Sequence, residues 1–184
     1  MLLPPIGSEG ASPKLSEKRE GGDGGRRAQR ASPAWAGRAA CAWAGIFALM
    51  SLYWAAGGMV GSETLGVEID RLAHERDASF VGELWAAFAL KLVAAALALA
   101  LVEPWGRRLP RRLLLVLGWG TGAGITLYAV ANFVQHTLMV TDAIRTPEAL
   151  GTKAVPWHLA LWDPFWFVGG LLFLAATHAF RKSP

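Results

Sequence analysis

Four long stretches of this chain are almost free of ionisable side chains. Ala39 to Val60 has no Asp, Glu, Lys, Arg or His, and Leu84 to Val102 has only Lys91. Leu113 to Val140 has only His136, and Leu159 to Phe180 only Asp163 and His178. Each stretch meets the need for about 20 apolar residues to cross a hydrocarbon core about 30 Å thick. An open chain satisfies its backbone polar groups in lipid only as a helix. The pattern therefore predicts an all-α fold, an integral membrane four-helix bundle with spans at about 39–60, 84–103, 113–140 and 159–180.

Composition points the same way. Of the 184 residues 53% are hydrophobic and 17% charged, against roughly 25% charged in a soluble domain. A single Cys excludes an internal disulfide framework and multi-Cys zinc or iron–sulfur sites. The chain is also too short for a catalytic barrel of about 250 residues. The Trp residues fit interfacial belts at Trp105 on one side and Trp157 and Trp162 on the other. Trp54 and Trp166 lie deeper and are expected to fill the bundle.

The net charge of +4 is unevenly placed. Arg26, Arg27, Arg30, Arg38, Arg107, Arg108, Arg111, Arg112, Arg181 and Lys182 fall on one side of the spans. Only Arg71, Arg76, Arg145 and Lys153 fall on the other. This is the bias of the positive-inside rule, and it predicts cytoplasmic N- and C-termini in the cell inner (plasma) membrane. Residues 1–37 read as a cytoplasmic tail. The Gly, Ser, Pro and charge content up to Pro33 predicts disorder, since such a segment buries too little apolar surface to offset its entropy. Leu2-Leu3-Pro4-Pro5 lacks the basic start and apolar core of a signal peptide. Glu9, Glu17, Glu20 and Asp23 dilute the tail's basic charge, so no nucleic-acid partner is expected. The connection from Gly61 to Glu83 is acidic, and reads either as a solvated loop or as a short amphipathic helix carrying Leu65, Ile69 and Leu72.

Polar residues within the spans carry the candidate chemistry. Tyr53, Lys91, Asn132, His136, His158 and Asp163 all fall in the outer half of the bundle or at its outer edge. Lys91, for example, is roughly 12 Å below Glu83 at 1.5 Å per residue. Ionisable groups at such depth are costly and usually face the bundle interior or a cavity. Thr121, Tyr128, Asn132 and Gln135 share a stripe, which is the expected inward face of span three. Two readings of Lys91 and Asp163 stand side by side. They form an intramembrane ion pair, or Asp163 caps a helix starting at Pro164 while Lys91 extends toward the outer water.

Other motifs have plainer explanations. His136 and His158 lie on one side and invite a haem or metal reading, but the 21 residues between them give no ligand spacing. No metal or cofactor is expected. Gly118-Trp119-Gly120-Thr121-Gly122-Ala123-Gly124 lacks the preceding strand and Lys-Ser/Thr ending of a phosphate loop. Gly118 with Gly122 and Gly120 with Gly124, small residues four apart, are expected to let helices pack closely, as are Gly57, Gly58, Gly169 and Gly170. Ser51, Ser62 and Ser79 have no evident His–Asp partners, and no catalytic set is apparent.

Two segments, Ser51-Leu52-Tyr53-Trp54-Ala55-Ala56-Gly57-Gly58 and Trp157-His158-Leu159-Ala160-Leu161-Trp162-Asp163-Pro164-Phe165-Trp166, carry a resemblance. With Leu90-Lys91 and Pro104-Trp105-Gly106-Arg107 they resemble a bacterial family of small four-helix membrane proteins, domain of unknown function 3995, over roughly residues 38–182. The resemblance implies the four-span fold and no particular activity, and it draws attention to Tyr53, Lys91, His158 and Asp163. The leading expectation is a non-enzymatic packing or partner-binding membrane subunit. Its partners are the lipid bilayer and a second copy or another membrane protein. The alternatives are a small transporter or proton conductor using Lys91, Asp163 and His136, and a redox protein or enzyme acting at the outer face.

Overall fold

The computed structural model describes residues 21–183, with side chains from Ala34 onward. The chain divides into two units, Met1–Ser32 and Pro33–Pro184. The expected disordered tail falls largely on residues 1–20, outside those described. Helix α1 is Gly21–Ala55, α2 is Val67–Glu75, α3 is Ala78–Ala100 and α4 is Arg111–Val140. A short α5 (Val155–Trp157) runs through a π-helical turn (His158–Trp162) into α6 (Asp163–Lys182). Among the described residues four helical segments are long and apolar enough to cross a membrane: Ala34–Ala55, Ala78–Ala100, Arg111–Val140 and Val155–Lys182.

The first span ends five residues earlier than the apolar run predicts. The chain turns at Gly57, whose φ of +106° is open to Gly and strained for other residues. Gly57 and Gly58 are therefore turn residues rather than helix-packing positions, and the Tyr53 ring covers Gly58. The third span starts sooner, at Arg111, and α3 also starts early. There Asp77 caps the helix by accepting a hydrogen bond from Phe80 N–H at 2.9 Å, the role its short carboxylate suits.

Small residues set the helix contacts. Gly118 and Gly122 on α4 pack on Thr177 and Leu174 of α6, and Gly170 on α6 packs on Thr126. Gly169 faces the indole of Trp43 on α1, and Gly37 on α1 packs on Ala98 of α3 and on Val102 just beyond it. Gly120 and Gly124 meet nothing within the bundle. The buried side of α4 thus runs through Leu114, Gly118, Gly122, Ala129, His136 and Met139. The expected stripe is displaced from it, with Tyr128 and Gln135 exposed. Residue size explains the difference, because close approach of α4 to α6 favours the Gly face over the Tyr face.

An aromatic core joins α1 to α6. The Trp43 indole stacks on Phe165 at 5.2 Å and donates Nε1–H to the Phe165 carbonyl at 2.9 Å. Phe47 meets Trp166 edge-on at 4.6 Å. Trp162 is buried beside Trp54 and Phe47 rather than lying in a belt, whereas Trp105 and Trp157 are exposed.

The α1–α3 connection covers one end of the bundle, here called the loop end. Its amphipathic pattern resolves into α2, on which Arg71 pairs with Glu68 and Glu75. The Arg71 guanidinium hydrogen-bonds to Glu68 and lowers its carboxyl from the usual range. Carbonyls of Ala149 and Leu150 accept from Glu68 N–H and Val67 N–H, so the α4–α5 connection satisfies the free amides at the start of α2. Arg76 donates to the carbonyls of Trp54 (2.9 Å) and Ala55 (2.7 Å), which closes the open C-terminus of α1.

Candidate functional site

Span four carries the site because it does not break at Asp163. Pro164 has no N–H to continue the α-helical ladder, and its ring crowds the carbonyl four residues back. The helix widens just before it, and Asp163 N–H bonds to the His158 carbonyl, five residues earlier. In a regular α-helix residues five apart point about 140° away from one another. A π turn closes its hydrogen bond over that same interval, so His158 and Asp163 come onto one side. Asp163 has helical φ and ψ of −65° and −46°. It is therefore an interior helix residue and not the N-cap that the Asp-Pro pair suggests.

Opposite it, α4 places His136 on its buried face. His136 Nδ1 lies 2.8 Å from Asp163 Oδ2, with the two side chains 7% and 3% exposed. The second imidazole packs on the first: the His136 and His158 ring centroids are 4.6 Å apart, tilted by 36°. His158 Nε2 is 3.3 Å from the Leu65 carbonyl. A carbonyl only accepts, so this nitrogen carries the proton and Nδ1 holds the free lone pair. Trp162 donates its indole N–H to Thr64 Oγ1 at 3.2 Å, while Ser62 Oγ donates to Asp70. These contacts fix residues 62–70 over the two histidines.

His136, His158 and Asp163 each offer a ligand atom, all within 4.8 Å of one another. The 21 residues that separate the histidines in sequence bring them back together, so sequence spacing is a poor guide at this place. A cleft of about 360 Å³ adjoins the group between α4 and α6. It is lined by Ala129, Val130, Phe133, Asp163, Pro164 and Phe167. Asp163 stands in the wall of this cleft while its Oδ2 is paired with His136.

Lys91 is engaged elsewhere. Its ammonium donates to Ser51 Oγ at 2.6 Å and lies 3.4 Å from the centroid of the Phe47 ring. The anticipated ion pair with Asp163 is not formed, because each group is satisfied by a nearer neighbour. Tyr53 is 45% exposed, and its hydroxyl accepts only a long bond from Val60 N–H, 3.4 Å. Asn132 is half-buried on α4. Neither joins the His–His–Asp group through a hydrogen bond. Ser51, Phe47, Thr64 and the Leu65 carbonyl were not legible as partners. Ser51 alone gave a signal, being the one hydroxyl between Ala39 and Leu52.

Two comparisons gave nothing: no curated protein and no solved structure matches the chain. A family model described as "Protein of unknown function (DUF3995)" matches residues 44–173, which takes in Lys91 and the whole His136–His158–Asp163 group, and the chain belongs to that family.

Proposed function

We propose that this protein binds a small amphipathic molecule at the loop end of spans three and four. The polar part sits at the His136–Asp163 pair and the apolar part in the adjoining cleft. One observation carries the reading: Asp163, buried and paired with His136, stands in the wall of an otherwise apolar cleft. Ionisable groups at bilayer depth are expensive and generally mark a functional site, and apolar pockets with a few convergent polar groups are the usual form of ligand sites. Val130, Phe133 and Phe167 are 45%, 50% and 40% exposed, so the cleft opens sideways, toward lipid in a membrane-inserted chain. The arginine distribution supports a multi-pass inner-membrane protein with cytoplasmic termini and this site near the outer face.

Val130→Trp tests the reading by filling the cleft from its exposed side. Organic extracts of the purified wild-type protein should contain a stoichiometric amphiphile by mass spectrometry, and the variant should lose it. An extract with no bound compound, or one unaltered by the substitution, would remove the proposal.

A second reading, partner binding, is favoured by Gly120 and Gly124. They lie four apart on α4 and face away from the bundle with nothing in front of them, the spacing that allows close approach of another helix. Gly124→Leu should abolish a cross-linkable dimer or heteromeric complex in membranes. An unchanged assembly would count against it.

A further inference from the structure

We infer that His136, His158 and Asp163 form a three-ligand site for a divalent transition metal of the zinc class. The fourth coordination position would face the cleft between α4 and α6. This deepens the ligand-binding reading above, with the metal as polar anchor of that site.

The donor set suits such an ion: zinc accepts both imidazole nitrogen and carboxylate oxygen, and three protein ligands with one open position is the arrangement of catalytic zinc sites. Tetrahedral ligand atoms about 2.0–2.2 Å from zinc lie about 3.4 Å from one another. The three groups already sit within 4.8 Å, with His136 and Asp163 at 2.8 Å. A side-chain adjustment of the order of 1 Å closes the remainder.

Two independent features point to a ligand rather than to simple packing. The π turn costs regular helix geometry and places His158 beside Asp163, and such turns are frequent at functional sites. The bond from His158 Nε2–H to the Leu65 carbonyl is the outer-shell contact that orients ligating histidines and leaves the other nitrogen free. The burial also has an electrostatic consequence. One carboxylate balances only part of a divalent charge, so an anionic group entering from the cleft completes the site.

The test uses the full chain, purified in mild detergent without a histidine tag and stripped with chelator. Zn²⁺ is titrated calorimetrically and Co²⁺ by visible absorption. One metal per chain is expected, with the intense bands of tetrahedral Co²⁺. His158→Gln, His136→Gln and Asp163→Asn should each weaken binding by more than about 100-fold, beyond the loss from removing a supporting group. His74→Gln and His178→Gln should leave it unchanged. Binding retained in His158→Gln and Asp163→Asn, or well below one metal per chain, overturns the inference. If His136→Gln does not fold, X-ray absorption on the wild-type Zn²⁺ form decides: fewer than two imidazoles in the first shell overturns it. A bound amphiphile that persists in protein without metal affinity would sink the metal site alone and leave the cleft reading standing.

Discussion

His136 Nδ1 and Asp163 Oδ2 lie 2.8 Å apart, both buried in the α4–α6 contact. Breaking a buried pair from one side leaves an uncompensated polar group and costs about 3–5 kcal/mol. Asp163→Leu and His136→Leu should each lower the melting temperature in detergent sharply. The double variant should lose less than the sum, with a coupling of about 1–3 kcal/mol. Asp163→Asn should be milder, because the amide oxygen still accepts from Nδ1–H. Additive losses in the two Leu variants would show that the contact carries no coupling.

Lys91 belongs to a different polar contact. Its ammonium is held by Ser51 Oγ and the Phe47 ring, and it shares no partner with Asp163. Lys91→Met combined with Asp163→Asn should therefore be additive within about 0.5 kcal/mol. Lys91→Met combined with Ser51→Ala should be less than additive, since either change removes the same hydrogen bond. Thermal unfolding of the three single and two double variants separates the two cases, and coupling between Lys91 and Asp163 would restore the ion pair.

These two contacts show what the sequence makes legible. Depth along a helix follows from counting residues, so Lys91, His136 and Asp163 are recognisable as polar groups within apolar spans. Rotation about the helix does not follow so easily. A stripe through Tyr128 and Gln135 has the right period, yet the glycines four apart decide which side of α4 approaches α6. The pairing of His158 with Asp163 depends on a π turn, and regular helical spacing places the two apart. Pro164 was the available signal. It reads equally as the first residue of a new helix, and only the surrounding packing of Trp162 and His136 selects the continuous one. Residues that act through backbone atoms, such as Arg76 on the Trp54 and Ala55 carbonyls, leave no pattern at all.

The glycines of α4 separate into two sets with opposite expected sensitivity. A Cβ at Gly122 would lie 2.9 Å from the Leu174 backbone nitrogen, and one at Gly118 would collide with Thr177. Backbone cannot yield as a flexible side chain can, so Gly122→Ala should cost about 1–3 kcal/mol by overpacking. Gly120→Ala and Gly124→Ala meet open space and should leave monomer stability in detergent unchanged or slightly raised. Equal effects at Gly120 and Gly122 would place the α4–α6 contact on a different face.

Arg76 is the tie between the loop-end cover and the first span. It sits in a left-handed conformation, φ 52°, at the end of α2. Its two terminal nitrogens reach the Trp54 and Ala55 carbonyls at the end of α1, where the Trp54 carbonyl also accepts from Gly57 N–H at 3.0 Å. Hydrogen bonds from a charged donor contribute about 1.5–3 kcal/mol, and a cation beside a helix C-terminus also complements its dipole. Arg76→Met should loosen the segment from Gly57 to Glu75 without unfolding the spans. Hydrogen exchange of α2 amides should accelerate by roughly 10-fold or more, as a loss above 1.4 kcal/mol implies, while amides in the middle of α4 and α6 keep their protection. Arg76→Lys should recover only part, because one ammonium lacks the planar fork that serves two carbonyls at once. Exchange rising equally in α2 and α6 would mean that Arg76 supports the whole bundle, and unchanged exchange would mean that Trp162–Thr64, His158–Leu65 and the Ala149 and Leu150 carbonyls hold the cover without it.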